Sequence, residues 1–130
     1  MIFIVVRHPI RPEYAEEFPR LVEDFTVASR AEPGTISFEW SRSTDDPNVY
    51  FLVEAFRDAA AGEVHVGSDH FKAAIARMPG LLAGAPEIVY ADLPADGWSR
   101  NGGTEACRPV TTFRPTATLP ANWREDDNHH

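Results

Sequence analysis

The segment that most constrains the fold is the apolar run at residues 2–9, Ile-Phe-Ile-Val-Val-Arg-His-Pro. Its β-branched and aromatic side chains fall on both odd and even positions, which predicts a β-strand that is buried on both faces. A sheet with two buried faces needs a covering layer on each side. The rest of the chain must therefore supply helices for one face and a further layer for the other.

Three other segments predict the strands that complete this sheet. Polar and apolar residues alternate over residues 35–42, and residues 43–48 are dense in turn formers. Residues 49–56 are again apolar. The two strand segments, 35–42 and 49–56, with the turn between them predict an antiparallel hairpin. Residues 87–93 indicate a fourth strand near the end of the folded part.

Two helical regions separate these strands. Apolar residues recur at three- and four-residue spacing over residues 12–31, which predicts an amphipathic helix. Pro19 requires that this helix either begins later or kinks. A short helix is predicted over residues 59–66, and Gly67 separates it from a second helix that ends near Pro79.

The order of elements is therefore β-α-β-β-α-β, which predicts an α+β, ferredoxin-like split fold with a four-stranded antiparallel sheet and helices on one face. A second copy of the sheet would cover the opposite face, so we expect a homodimer that forms through the sheet. Residues 1–93 make up this domain. Residues 94–130 are rich in proline and glycine but carry several large apolar residues, which predicts an extended C-terminal arm docked on the domain or its partner.

Composition and charge narrow the range of partners. The formal net charge is −8, with 20 acidic against 12 basic residues, which argues against nucleic acid. The longest apolar run is too short to span a bilayer, so no membrane partner is expected. Cys107 is the single cysteine and no internal disulfide can form, so a cytoplasmic location is expected.

Several short motifs follow one another along the predicted domain: Glu32-x-Gly34, Phe38-x-Trp40, Glu54-x-Phe56 and His65-x4-His70-Phe71. In this order and spacing they resemble the antibiotic biosynthesis monooxygenase family of small ferredoxin-like dimers, over residues 1–93. The resemblance implies a cofactor-independent monooxygenase that oxidises a phenolic, quinol or polyketide-like aromatic substrate with O2. The family also includes haem-degrading enzymes and proteins with no known activity.

The two histidines are the candidate catalytic groups. As a general base, His70 would take a phenolic proton, and its place in the first turn of a helix disfavours the imidazolium form. His65 would support it. The alternatives are structural: a capping or core imidazole at position 70, and a partly exposed ring at position 65.

Six further residues are candidates for substrate contacts: Phe38, Trp40, Tyr50, Glu54, Phe56 and Phe71. Aromatic rings from strands and a helix can line a flat pocket between the sheet and the helices. The same pattern is also typical of an ordinary core. Glu54 is a candidate for orienting a histidine or Arg57, with a surface salt bridge as the alternative.

Neither a metal ion nor a cofactor is expected. The five-residue spacing of His65 and His70 crosses Gly67, and no cysteine or acidic residue completes a recognisable ligand set. The haem-degrading branch of the family has an Asn in the first strand, where this chain has Arg7 and His8. Two other functions fit the same pocket: an isomerase or lyase with the same base, and a non-catalytic dimeric binding or stress-related module.

Overall fold

The computed structural model of the protein describes residues 1–100. Its strands are β1 (Ile2–Pro9), β2 (Thr35–Arg42), β3 (Val49–Phe56) and β4 (Glu87–Asp92), and its helices are α1 (Phe18–Leu21), α2 (Glu23–Arg30), α3 (Ala59–Val66) and α4 (Asp69–Arg77). The strands form one antiparallel sheet in the order β2-β3-β1-β4. This arrangement confirms the predicted α+β ferredoxin-like fold.

The first helical region is shorter than its spacing predicts. In place of one helix over residues 12–31, the structure has a 3-10 turn at Pro12–Tyr14, followed by α1 and α2. Helix α1 begins at Phe18, so Pro19 lies in its first turn, where a backbone N–H has no helical partner to lose. Of the two effects predicted for Pro19, the later start is the one observed.

The helices cover one face of the sheet. The core beneath them consists of Ile2, Ile4, Val6, Phe38, Leu52, Phe56, Ala61 and Val66. Phe25 of α2 and Phe71 of α4 pack against this cluster from the helical side. Burial of apolar surface, at roughly 25 cal/mol per Å2, is the main force that holds the helices on the sheet.

The opposite face of the sheet is also apolar, and no helix of residues 1–100 covers it. Phe3 and Val5 of β1 are half-buried, as are Phe51 and Val53 of β3, and Val89 of β4 is 65% exposed. The prediction that β1 is buried on both faces is therefore met on one face only within the described residues. The other face is an apolar surface without a cover in residues 1–100, and the sequence predicts that a second copy of the sheet covers it.

The junction of α3 and α4 is defined by two helix caps. The Asp58 carboxylate accepts a backbone N–H at the start of α3 (2.8 Å), and the Ser68 hydroxyl accepts one at the start of α4 (3.2 Å). Helix α3 ends at Val66 and Gly67 is its C-cap, so the chain turns within two residues, Gly67 and Ser68. This tight turn brings the rings of His65 and His70 to a centroid distance of 6.0 Å.

Irregular chain follows β4. The Leu93 N–H donates to the carbonyl of Met1 (2.9 Å), and the chain then reaches the other edge of the sheet, where Gly97 lies against Ile36. Most of the predicted arm, residues 101–130 with Cys107, lies outside the described residues, so the division at residues 93 and 94 stays a prediction. In the described part, no helix is long and apolar enough to cross a membrane.

Candidate active site

Four polar side chains from separate parts of the chain meet beneath the α3–α4 junction. Glu32 lies in the turn between α2 and β2, Glu54 on β3, His65 on α3 and His70 in the first turn of α4. The backbone N–H of Glu32 donates to the carbonyl of Ser29 (3.2 Å), which extends the end of α2 into this turn. The fold thus collects groups that are far apart in sequence.

The Glu32 carboxylate joins the two imidazoles. Its Oε2 lies 2.9 Å from Nδ1 of His65 and 2.5 Å from Nε2 of His70. Because an ionised carboxylate can only accept hydrogen bonds, each ring must donate an N–H to it. A neutral His70 then keeps its lone pair on Nδ1, which has no hydrogen-bond partner within residues 1–100.

Glu54 is buried behind His65, with its Oε1 3.6 Å from Nε2 of that ring. Burial, reinforced by the charge of Glu32, raises the pKa of Glu54 to about 8, so this carboxyl holds a proton at neutral pH. Burial lowers the pKa of His65, while the hydrogen bond to Glu32 opposes that effect. The surface salt bridge considered for Glu54 is wrong because the side chain is buried, and Arg57 lies near Asp58 instead (3.6 Å).

His65 is completely buried. Four phenylalanine rings surround it, with centroids 4.9 to 5.9 Å from that of the imidazole: Phe25, Phe38, Phe56 and Phe71. The partly exposed ring considered as the alternative is therefore wrong. A side chain without solvent access does not contact a substrate in this conformation, so His65 can affect chemistry only through the groups it touches.

His70 lines a cleft of about 340 Å3 between α2 and α4. Its side chain is 25% exposed, so the imidazole is accessible while one nitrogen is held by Glu32. The walls are mainly apolar, with Phe25 on α2 and Ala74 on α4 facing the space, and Asp24 and Arg77 are the charged residues of the lining. The volume lies at the small end of the range for small-molecule sites.

None of the six predicted substrate contacts lines this cleft: Phe38, Trp40, Tyr50, Glu54, Phe56 and Phe71. Phe38 and Phe56 are buried in the core, and Phe71 is half-buried against it. These positions are those of an ordinary core beside the histidines. The assignment of the six residues as substrate contacts stays a prediction.

The polar tips of Trp40 and Tyr50 already have protein partners. The indole Nε1–H of Trp40 donates to the Thr26 hydroxyl (2.9 Å). The phenol of Tyr50 donates to the carbonyl of Ala15 (2.7 Å) and is buried. Both groups therefore hold the first helical region on the sheet.

Glu32 is a site residue that the sequence pattern did not single out. It appeared there only as part of the motif Glu32-x-Gly34, at the point where the first helical region ends. An acidic residue next to a helix end is usually solvated, and only the fold shows that this one turns inward, with 9% of its side chain exposed. In the sequence, the motif Glu32-x-Gly34 was the signal that could have pointed to this residue.

The same residues bear on metal binding. One ligand atom each from Glu32, His65 and His70 lies within 4.8 Å of the others, so the three could hold a metal ion. The expectation of no metal site rested on the absence of an acidic residue to complete the histidine pair. That reasoning was wrong, because Glu32 completes it.

Comparison with known proteins shows related sequences. The model of a family described as antibiotic biosynthesis monooxygenase matches residues 1–77. An uncharacterized protein of Synechocystis sp. (strain ATCC 27184 / PCC 6803 / Kazusa) is 33% identical over 79 residues, which are 61% of this chain and 54% of that protein, so the chain spans about half the length of that relative. The Bacillus subtilis (strain 168) protein named "Putative monooxygenase YcnE" is 27% identical over 93 residues, 72% of this chain and 98% of that one.

Solved structures are similar over the same region. A crystal structure from Caulobacter crescentus CB15, described as a "putative antibiotic biosynthesis monooxygenase", has a TM-score of 0.68 and 34% identity, covering 72% of this chain and 90% of that one. The structure of Rv0793 from Mycobacterium tuberculosis has a TM-score of 0.66 and 26% identity, covering 75% and 98%. Since the family model matches more than half of the sequence and the fold agrees, the chain belongs to the antibiotic biosynthesis monooxygenase family.

Proposed function

We propose that the protein is a cofactor-independent monooxygenase that oxidises a small phenolic, quinol or polyketide-like aromatic substrate with O2. Family membership and the names of its relatives support a monooxygenase. The observation that carries the proposal is the pairing of His70 with Glu32 at the wall of an open cleft. To take a proton from a bound substrate, a base must be held in place, here by the Glu32 carboxylate, and must be reachable from the cleft.

The proposed reaction begins at His70. Its Nε2–H donates to Glu32, so Nδ1 takes the phenolic proton and the carboxylate stabilises the resulting imidazolium. The substrate anion is electron-rich and reacts directly with O2 to form a carbon–oxygen bond. The ring carbon then becomes a carbonyl: the substrate gives up four electrons and two hydrogens, which are the phenolic proton and the hydrogen of that carbon, while one oxygen atom of O2 stays in the product and the other leaves as water.

His65 and Glu54 act as positioning residues in this scheme. His65 holds Glu32 in place through a hydrogen bond of 2.9 Å and is itself buried. Glu54 lies behind it as a protonated carboxyl, so it adds no second negative charge next to Glu32 at neutral pH. Both would therefore affect the orientation of His70 rather than touch the substrate.

The cleft favours a flat, apolar substrate with a second polar group. Phe25 provides one ring at the wall, and small side chains on α4 leave space in front of it. Arg77 lies seven residues after His70 on the same helix, which is about 10 Å along the axis. We expect an acidic or hydroxyl group at this distance from the reacting hydroxyl to pair with Arg77.

We also propose that the protein is a homodimer that pairs through the outer face of the sheet. Val5 and Val89 pair on neighbouring strands and belong to an apolar surface that a second copy would cover. In sedimentation experiments, Val89→Asp should produce monomers because it would bury a charge. The control is Val27→Asp on α2, where the native valine is 60% exposed. A dimer that persists unchanged in Val89→Asp would contradict this arrangement.

The cytoplasmic location stays a prediction from the single cysteine.

A non-catalytic dimeric binding or stress-related module of the same fold is the alternative function. It predicts a closed interior and histidines that are bound to backbone groups. The open cleft and the carboxylate partner of His70 favour catalysis instead. An isomerase or lyase would use the same base but consume no O2.

Oxygen uptake with simple quinols and anthrones tests the proposal. The wild type is compared with His70→Ala, with Glu32→Gln, and with Lys72→Ala as an exposed control on the same helix. His70→Ala should lower the rate by at least about a hundredfold, as loss of a general base does, while Lys72→Ala should leave it unchanged. Equal rates in wild type and His70→Ala would remove His70 from the mechanism, and product formation without oxygen uptake would favour an isomerase or lyase.

A further inference from the structure

The cluster of Glu32, His65 and His70 has the donor set of a transition-metal site. Two imidazole nitrogens and one carboxylate oxygen lie within 4.8 Å of one another. Imidazole combined with carboxylate suits zinc, iron and related divalent ions. The two nitrogens approach the same carboxylate from two different helices, so the donors converge on one small volume.

One oxygen of Glu32 has no hydrogen-bond partner among residues 1–100. Its Oε1 is buried and accepts no hydrogen bond from these residues, and the side chain as a whole is 9% exposed. Within residues 1–100, Glu32 forms ion pairs with the two histidines, and no arginine or lysine reaches it. A buried carboxylate oxygen in this state is unfavourable unless a donor or a cation satisfies it.

Glu54 supplies the support that metal-bound histidines usually have. In metal sites the second ring nitrogen of a ligating histidine commonly faces a carboxylate, which fixes the orientation of the ring. Here His65 faces Glu32 with Nδ1, and its Nε2 lies 3.6 Å from Oε1 of Glu54. Glu32, His65 and Glu54 therefore follow one another as ligand, histidine and protonated carboxyl group, and a carboxyl oxygen of Glu54 would accept the Nε2–H of a metal-bound His65.

Access to the cluster is from the cleft. His70 lines that cleft and is 25% exposed, whereas His65 is closed off by phenylalanine rings. An ion held by these groups would therefore keep coordination positions open on the cleft side. Open positions distinguish sites that bind a further ligand from closed structural sites.

We propose that Glu32, His65 and His70 bind one divalent transition-metal ion. Metal–nitrogen and metal–oxygen distances are about 2.0–2.2 Å, so the donor atoms must spread from the present 2.5 and 2.9 Å to about 3–3.5 Å. Each neutral ring would bind the ion through the nitrogen that now donates to Glu32, and its proton would move to the other ring nitrogen, Nε2 of His65 and Nδ1 of His70. Since it takes Nε2 of His70 from Glu32, the ion would also inhibit the cofactor-independent reaction.

Calorimetric titration of the full chain with Zn2+ tests the site. His129 and His130 at the C-terminus are first replaced by alanine, because two adjacent histidines can bind the metal themselves. In this background we expect one ion per chain and a higher midpoint of thermal unfolding with Zn2+. Glu32→Gln and His70→Ala should each weaken the affinity at least tenfold, whereas Glu63→Gln, an exposed carboxylate on α3, should not change it.

Absence of saturable Zn2+ binding in the background variant would overturn the proposal. So would an unchanged affinity in both Glu32→Gln and His70→Ala. His70→Ala decides the matter if Glu32→Gln does not fold, because His70 is partly exposed and its loss disturbs the core least. The titration requires no substrate, so its outcome is independent of the oxygen-uptake experiment.

Discussion

Gly34 and Ala61 make a close contact beside the turn that carries Glu32. Gly34 is buried just before β2, and Ala61 is in the first turn of α3. A Cβ atom at position 34 would lie 2.4 Å from the Cβ of Ala61, whereas ordinary contacts begin at 3.4 Å. Gly34→Ala must therefore move the turn and α3 apart by about 1 Å, which matters because Glu32 and His65 lie on these two segments.

The expected loss of stability follows from two opposing effects. Overpacking of this kind costs about 1–3 kcal/mol, and the rigid backbone on both sides favours the upper end. Replacing glycine also restricts the unfolded chain, which raises the free energy of unfolding by about 0.4–1 kcal/mol. We expect Gly34→Ala to lower the free energy of unfolding by about 2 kcal/mol, a sizeable part of the 5–15 kcal/mol typical of a domain.

The measurement is urea unfolding of four proteins: wild type, Gly34→Ala, Ala61→Gly and the double variant. Ala61→Gly alone should cost about 1 kcal/mol through lower helix propensity. If the clash is the cause, the double variant should lose at most about 0.6 kcal/mol, because the cost of about 1 kcal/mol for Ala61→Gly is offset by the gain of about 0.4–1 kcal/mol from replacing Gly34. Without coupling, the two losses would add to about 3 kcal/mol. Additive losses, or a Gly34→Ala protein as stable as wild type, would refute the reasoning.

Three further predictions concern buried polar groups. Burial lowers the pKa of His8 from 6.5 to about 4, so the stability that depends on its neutral form is complete above pH 6.5 and lost as the pH falls through 4. Measured by urea unfolding, the stability difference between wild type and His8→Leu should therefore shift by about 3 kcal/mol against the wild type between pH 8 and pH 3.5. A difference that does not change with pH would contradict this prediction. Tyr50→Phe removes the bond to the Ala15 carbonyl and should cost about 1–2 kcal/mol in the same assay, with no loss if water already satisfies that carbonyl. Thr26→Val removes a buried hydroxyl, leaves the partly buried indole N–H of Trp40 without its acceptor and should cost about 1–3 kcal/mol, and a neutral result would show that the indole finds another partner.

The strands and the order of elements could be predicted from the sequence because their signals are local. Alternation over residues 35–42 and the apolar run at residues 2–9 each indicate a strand without knowledge of the rest of the chain. The first helical region could not be bounded in this way. Its apolar spacing continues through Pro12 and Pro19, but each proline is accepted only in the first turn of an element, so a 3-10 turn begins at Pro12 and α1 begins at Phe18. The break at Val22 between α1 and α2 has no local sequence signal.

The site could be predicted only in part, because its contacts are not local. His65 and His70 are close in sequence, and their motif pointed to them, but Glu32 is 33 residues from His65. The cleft depends on side-chain size where two helices face each other: Ala28 on α2 and Ala74 on α4 leave a gap that larger residues would fill. Helical spacing shows which positions face inward, not whether the opposing side chains meet.

The burial of this polar cluster is itself an argument for function. Glu54 has an unperturbed pKa of 4.5, so keeping it protonated at pH 7 in the folded state costs about 3 kcal/mol, and a well-packed apolar side chain would avoid that loss. His65 beside it is surrounded by phenylalanine rings that would pack as well against leucine. In a domain whose total stability is about 5–15 kcal/mol, this loss is large, and the proposed chemistry gives a reason for keeping such groups that folding alone does not. Glu54→Leu should therefore raise stability at neutral pH while it lowers the rate of oxygen uptake, and a loss of both would show that the carboxyl is needed for the fold.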